Sequence, residues 1–169
     1  MVPALGFLMV PLFTTPSIIY FGFSMLPFFI INAYFSAKNK ERALLNDLSA
    51  ITVFSIAGLA SSYLPGSTIT EEAILVFAAS ILFFTGSTFY VKTMIREKKN
   101  ANFKWVSWVY HLMVPVLWFA AGEGVAAIAA MPSLIRAIAF YGRPLSVMKV
   151  GIYEIVNAAL FFIIMLFAI

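Results

Sequence analysis

Residues 72–91 read EAILVFAASILFFTGSTFYV, and their only charged residue is the Glu at the first position. A transmembrane α-helix needs about 20 consecutive apolar residues, so this stretch has the length and composition of one span. Each such run is predicted to be helical, because backbone polar groups in hydrocarbon need partners within their own segment. Further apolar runs occur at 2–14, 17–36, 43–64, 105–121, 124–142 and 147–169. The sequence therefore predicts an all-α polytopic transmembrane helix bundle with six spans, or seven if the short run at 2–14 also crosses.

The composition agrees with this class of protein. The chain has 169 residues, of which 63% are hydrophobic and 11% are charged, whereas soluble domains carry about 25% charged residues. So few charges cannot cover a water-soluble surface, and the length fits a single transmembrane helical domain over residues 1–169. The sequence contains no cysteine, which excludes disulfide, thiolate-metal and cysteine-nucleophile chemistry.

The basic residues are confined to alternate connections, in 37–42, 92–104 and 136–149. The intervening connections carry only acidic charges, at Glu71, Glu72 and Glu123. Under the positive-inside rule the basic loops are predicted to be cytoplasmic, beside anionic lipid, with the C-terminus outside. The net charge of +4 does not indicate a nucleic-acid partner, because these residues separate apolar runs and form neither a tail nor a helical stripe.

Five ionisable residues fall inside the predicted spans, where a charge is costly and so indicates a functional role. They are Asp47, Lys92, His111, Arg136 and Glu154. Counted from the cytoplasmic helix ends at about 1.5 Å per residue, each lies roughly 7–12 Å inside the membrane. The similar depth predicts a polar pocket that binds a ligand, with three secondary candidates, Asn46, Arg143 and Asn157.

Each of these five residues also has a structural interpretation, and the sequence leaves both open. Lys92 can reach the interface from the end of its span, and Asp47 suits the first turn of a helix. His111 can hydrogen-bond a neighbouring helix or a backbone carbonyl. Arg136 and Glu154 can neutralise each other as a pair.

Known catalytic patterns are missing from the sequence. HExxH, P-loop, Rossmann and GxSxG patterns do not occur. A single histidine cannot supply a polyhistidine metal site, so neither a metal nor a cofactor is predicted. The sequence leaves open whether the protein is an enzyme, with the balance against it.

Several short stretches occur in a distinctive order over about residues 40–155. They are Glu41–Leu48, Ala57–Ser61, Phe89–Lys98, Tyr110–His111, Arg143–Pro144 and Gly151–Glu154. This order resembles the YwiC-like family of bacterial membrane proteins. The resemblance implies a multi-spanning protein of the bacterial cytoplasmic (inner) membrane. Family members are usually longer, with an N-terminal His-Gly-Ala-Trp motif that this sequence lacks, so the chain is expected to lack the usual N-terminal region.

A remoter likeness concerns location alone. Asn46 and Asp47, at the predicted cytoplasmic start of a helix, are similar to the diphosphate sites of UbiA-type intramembrane prenyltransferases, where aspartate-rich motifs hold magnesium. Asp47 is the only aspartate of this chain, so that magnesium cage cannot be built in its usual form. Three basic residues would instead contact a phosphate headgroup directly, namely Lys92, Arg136 and Arg143.

Three functions are compatible with this pattern. The leading hypothesis is a small permease or carrier for an anionic or proton-coupled solute, whose anion binds to Arg136 and Lys92. Its protons would be carried by His111, Glu154 and Asp47. The second is an enzyme acting on a lipid or isoprenoid phosphate, with His111 or Glu154 as general base. The third is a non-catalytic membrane subunit or assembly factor. The nearly apolar outer half of the spans argues against a carrier, and transport leads because small polytopic proteins are most often transporters.

Overall fold

The computed structural model describes residues 9–169, and within them residues 9–14 are helical. Most of the predicted run at 2–14 lies outside the described residues, so whether it spans stays a prediction. A 3-10 turn, Pro16–Ile18, leads directly into the first long helix.

Long helices account for most of the described residues, and none of those residues is in a strand. The predicted all-α class is therefore confirmed. The helices are α1 (Ile19–Ala37), α2 (Leu44–Tyr63), α3 (Glu71–Ile95), α4 (Ala101–Ala120), α5 (Gly124–Ala139) and α6 (Val147–Met165).

The helix ends follow local chemistry more closely than they follow hydropathy. The Asn100 side chain accepts hydrogen bonds from the backbone N–H groups of Asn102 and Phe103, at 3.2 and 3.4 Å, and so begins α4. Gly142, at a φ of +77°, follows α5 in a conformation that L-residues rarely adopt. As a result α4 begins before the predicted residue 105, and α5 ends before residue 142. Likewise α3 continues one turn beyond residue 91, because a charged residue does not itself end a helix.

Four helical segments are long and apolar enough to cross a membrane: Pro16–Ala37, Leu44–Tyr63, Glu71–Ile95 and Val147–Met165. Of the other two, α4 carries more polar and aromatic residues, and α5 has only 16 residues. Large apolar side chains are widely exposed, for example Phe54 at 77% and Phe119 at 78%. Exposed apolar surface on this scale is unusual for a soluble monomer and suits contact with lipid.

The chain divides into two compact units, one up to Ile81 and one from Leu82 onward, with the boundary inside α3. In the first unit α1 packs along α2. The hydroxyls of Ser17 and Tyr63 are hydrogen-bonded at 2.9 Å, and the Phe21 ring lies against Tyr63 with centroids 5.2 Å apart. The single domain predicted for residues 1–169 stays a prediction.

The second unit is built around α5, which packs along both α4 and α6. The contacts of α3 in this unit include a hydrogen bond from the Tyr110 hydroxyl to the Leu82 carbonyl at 2.9 Å, and Phe83 stacks on Phe161. Small residues on α5 allow the neighbouring helices to approach closely. The buried ones are Ala126, Ala127, Ala129, Ala130 and Ala137. An apolar cluster at the end bearing the 96–100 and 140–146 loops contains Tyr90, Met94, Ala137 and Val150.

Candidate functional site

An ion pair lies inside the second unit, between α5 and α6. Nη1 of Arg136 contacts Oε1 of Glu154, and the two side chains are 5% and 19% exposed. Arg136 lies in the last turn of α5, and Glu154 lies two turns into α6. The sequence-based hypothesis that these residues neutralise each other is supported by this contact. A buried charge persists only when it is paired in this way.

The aromatic ring of Tyr90, on α3, lies against the guanidinium group. Cζ of Arg136 is 4.0 Å from the ring centroid, a cation–π contact. Tyr90 is 1% exposed, and its hydroxyl has no hydrogen-bond partner within residues 9–169. The same holds for Nε and Nη2 of Arg136. Buried polar atoms are rarely left unpaired, so this cluster has unused capacity to bind a water molecule or an anion.

A second polar contact lies one turn farther along the same two helices. The Asn157 amide donates to the Ser133 hydroxyl at 3.0 Å, and both residues are buried. Ser133 precedes Arg136 by three residues and Asn157 follows Glu154 by three, so each pair shares one helix face. The two contacts therefore form a ladder between α5 and α6, with steps about 5 Å apart.

Beyond Asn157 the buried groups on these helices are apolar. Ala129 and Ala130 are buried on α5. On α6, Phe161 stacks on Phe83 of α3, with ring centroids 4.1 Å apart and planes 19° apart. Within the second unit the polar ladder therefore lies toward the end with the basic loops, and aromatic and small residues fill the other end.

His111 lies on α4, is 3% exposed, and is held by its own helix. Its Nδ1 donates to the backbone carbonyl of Ser107 at 2.7 Å, which agrees with the backbone-carbonyl interpretation. That bond places the proton on Nδ1 in the neutral ring, and Nε2 has no hydrogen-bond partner in the described part of the chain. The Nε2 side of the ring is packed against Gly86 of α3, where an added Cβ would lie 3.3 Å from Nε2.

The structure does not agree with the interpretation of Lys92 as a boundary residue that reaches the membrane interface. It is 8% exposed, and α3 continues past it to Ile95, so the end of the apolar run was a wrong guide to the end of the helix. It follows Tyr90 by two residues, or roughly 200° around the helix, and so lies on a different face.

Two other candidates belong to the first unit. Asp47 is half-buried in the first turn of α2, as the helix-dipole interpretation expects. The neighbouring Asn46 donates to the Glu41 carbonyl at 2.6 Å and fixes the loop before the helix. Arg143, in the second unit, is exposed and lies 5.5 Å from the ring centre of Phe140. The second unit thus contains six of the eight candidates, Lys92, His111, Arg136, Arg143, Glu154 and Asn157. A pocket common to the five main candidates stays a prediction.

Sequence reasoning missed Tyr90 and Ser133. The repeated spacing was an available signal for Ser133, because Ser133 and Arg136 match the spacing of Glu154 and Asn157. Tyr90 had no comparable signal, since a tyrosine near a helix end is typical of the membrane interface. No group of three or more His, Cys, Asp or Glu residues that could hold a metal ion occurs among the described residues.

Apolar helices that enclose a small charged cluster define a helical membrane protein. The model of the family described as "YwiC-like protein" matches residues 1–62. The chain is also 45% identical, over 163 residues, to a protein described as "Uncharacterized protein YwiC" from Bacillus subtilis (strain 168). It therefore belongs to the YwiC-like family.

A second relative comes from Haemophilus influenzae and is described as "Uncharacterized protein", with 41% identity over 151 residues. The alignments cover 96% and 89% of this chain, but 68% and 63% of the two relatives. The chain thus spans about two thirds of the length of the relatives that it matches. No solved structure matches it.

Proposed function

We propose that this protein is a small carrier that moves an anionic solute across the bacterial cytoplasmic membrane together with protons. The observation that carries the proposal is the state of Arg136. It is a buried, permanently charged cation with one carboxylate contact, and two of its three nitrogens are unpaired among the described residues. Ionisable groups inside membrane proteins commonly mark solute and proton pathways.

The roles within the cluster follow from its chemistry. Arg136 would bind the anion, because its planar group presents several N–H donors and stays charged at any physiological pH. Glu154 would bind a proton once an anion shares the charge of Arg136, because two anions beside one cation disfavour the ionised carboxylate. Ser133 and Asn157 would hold the next position along the path, one turn deeper.

The orientation proposed here places the basic loops in the cytoplasm, which makes the cluster accessible from that side. Access from the outer side requires a second arrangement of the helices, as alternating access does in general. The stacked pair Phe83–Phe161 would form the closed outer gate. The small buried residues of α5 would allow neighbouring helices to shift past it without large steric barriers.

An enzyme acting on a lipid or isoprenoid phosphate is the second candidate, and one observation favours it. An apolar cavity of about 460 Å³ opens between α4 and α5 and has room for part of a hydrocarbon tail. Its walls include Leu112, which follows His111, and Leu134, two residues before Arg136. A phosphate beside that cavity would be bound by Arg136.

The test is uptake of labelled anions by liposomes that contain the purified chain. Hydrophilic probes such as lactate, phosphate and sulfate keep passive leakage low. We expect uptake of at least one of them to be accelerated by an inward proton gradient. The double variant Arg136→Leu/Glu154→Met, which removes the pair without leaving a lone charge, should abolish the acceleration. Equal uptake by wild type and double variant for every probe would reject the carrier.

Native mass spectrometry in mild detergent separates the second candidate. A phosphorylated lipid retained by the wild type and absent from the double variant would favour the enzyme. If neither transport nor a retained ligand is detected, the third hypothesis remains. The protein would then be a non-catalytic subunit whose polar residues join its helices.

A further inference from the structure

The edge of the Arg136 guanidinium that Glu154 does not contact indicates the charge and shape of the solute. Nη1 is occupied by Glu154, whereas Nε and Nη2 are buried and unpaired among the described residues. These two nitrogens lie on one edge of the planar group, and their N–H bonds are parallel. An edge of this kind matches the two oxygens of a carboxylate, which it binds in a bidentate manner.

Tyr90 restricts the approach to that edge. Its ring covers one face of the guanidinium at 4.0 Å, so a ligand has to lie in the guanidinium plane. The buried Tyr90 hydroxyl, also without a partner in residues 9–169, belongs to the same ring and can donate to a ligand oxygen. A flat anion fits this arrangement better than a tetrahedral one.

Charge balance then decides what accompanies the anion. The pair of Arg136⁺ and Glu154⁻ is neutral, and an uncompensated charge at this depth costs several kcal/mol. A bound monoanion would give the cluster a net charge of −1 unless one proton is added. A dianion would require two protons, and the cluster contains one carboxylate.

Each helix of the second unit contributes an ionisable group that has to be considered as the proton acceptor. Tyr90 is on α3, His111 on α4, Arg136 on α5 and Tyr153 on α6. Two of these are phenols, which offer no basic site for a further proton, and the guanidinium group of the arginine has no acceptor. His111 is 3% exposed, and protonating it would add a second buried cation to that of Arg136, which is costly. Lys92 lies on another face of α3, and its ammonium group has donors and no acceptor. The proton therefore goes to the carboxylate.

We propose that this cluster binds a singly charged carboxylate on the Nε–Nη2 edge of Arg136 together with one proton on the carboxylate of Glu154. The inference rests on the proposed carrier function and specifies its substrate class and its coupling. The proton is transferred from hydronium in the aqueous phase: one O–H bond of hydronium breaks, which leaves water, and one O–H bond forms on the Glu154 carboxylate. The transported unit of monoanion plus proton is electrically neutral.

Proton uptake on binding is the direct test. The purified chain, in mild detergent and weak buffer with a pH-indicator dye, is titrated with sodium lactate adjusted to the same pH. We expect one proton to be taken up per lactate bound, and the dissociation constant to rise about tenfold per pH unit where the Glu154 carboxylate is ionised. Phosphate and sulfate should bind at least tenfold more weakly.

Two variants locate the proton and the anion. Glu154→Gln, a neutral analogue of the protonated acid, should bind lactate without proton uptake and with an affinity that does not change with pH. Arg136→Gln should bind none. Lys149→Gln, an exposed residue on the same helix as Glu154, should behave like the wild type.

The outcomes separate this inference from the carrier itself. Lactate binding without proton uptake in the wild type would overturn the inference and leave the anion carrier intact. Preferred binding of phosphate or sulfate would likewise overturn the carboxylate assignment alone. Failure of all three anions to bind or to be transported would reject both. If Glu154→Gln does not fold, the proton count and the pH slope of the wild type still decide.

Discussion

Replacing one partner of the Arg136–Glu154 pair should be far more harmful to stability than replacing both. The perturbation is a set of three variants: Arg136→Leu, Glu154→Met, and the double variant. Each new side chain is apolar and of roughly similar length, so packing among the helices of the second unit is largely kept. The variants therefore differ mainly in whether a single charge is left inside the unit.

The expected magnitude follows from burial. With Arg136 at 5% exposure, removing Glu154 leaves a cation without its carboxylate and costs about 3–5 kcal/mol. That range corresponds to roughly two to four orders of magnitude in the ratio of folded to unfolded protein. Removing Arg136 should cost somewhat less, because Glu154 is 19% exposed and can move toward water. The double variant should lie within about 1 kcal/mol of the wild type, since replacing a buried pair by apolar residues is often neutral.

Unfolding by a denaturing detergent in mixed micelles provides the assay. Tryptophan fluorescence is a suitable signal, because Nε1 of Trp108 donates to the Ala137 carbonyl at 3.0 Å and so reports separation of α4 from α5. A double variant as unstable as the worse single variant would refute the reasoning. The pair would then stabilise the protein through its geometry, and charge compensation would be the wrong explanation.

Three further predictions concern packing, hydrogen bonding and orientation. Gly86→Leu should destabilise the protein by about 1–3 kcal/mol, because even a Cβ there would lie 3.3 Å from both His111 and Tyr110. Gly58→Leu is the control and should be tolerated, because a Cβ at that position has nothing within 4 Å. Thermal unfolding of the two variants compares them. A double-mutant cycle with Ser133→Ala and Asn157→Leu should give a coupling energy of about 0.6 kcal/mol, typical of hydrogen bonds between membrane helices, and a value near zero would contradict the contact. Because the chain lacks cysteine, the single variants Lys98→Cys and Ser67→Cys can each be treated with an impermeant thiol reagent on intact cells. Ser67→Cys should react and Lys98→Cys should not. The reverse pattern would invert the proposed orientation.

The sequence predicted the helices well because each of the six overlaps a long apolar run bounded by turn residues. It located the ends less well. Lys92 looked like the end of a span, yet its buried side chain belongs to a helix that continues for another turn. Hydropathy reports which residues suit hydrocarbon, whereas helix ends depend on caps such as Asn100.

The candidate site was predicted in part for a similar reason. Costly charges are visible in a sequence, so Arg136, Glu154 and His111 could be identified from depth alone. The contribution of Tyr90 could not be predicted from the sequence, because it depends on which face of α3 packs against α5. Depth in the membrane also does not tell which face of a helix a residue lies on. Lys92 and Tyr90 are only two residues apart, and so at similar depth, but they lie on different faces of α3.

The shortness of α5 has a consequence for how the protein enters the membrane during synthesis. The helix has 16 residues and carries Arg136 in its last turn. An arginine at the centre of a lone helix costs about 2.5–3.5 kcal/mol to insert, and nearer the end the charge still opposes insertion. Glu154, which offsets that charge, is synthesised 18 positions later, in α6. A turn of only three residues, 121–123, joins α5 to α4. We therefore expect α4 and α5 to remain beside the insertion machinery as a hairpin, and to be released into lipid only after α6 has emerged.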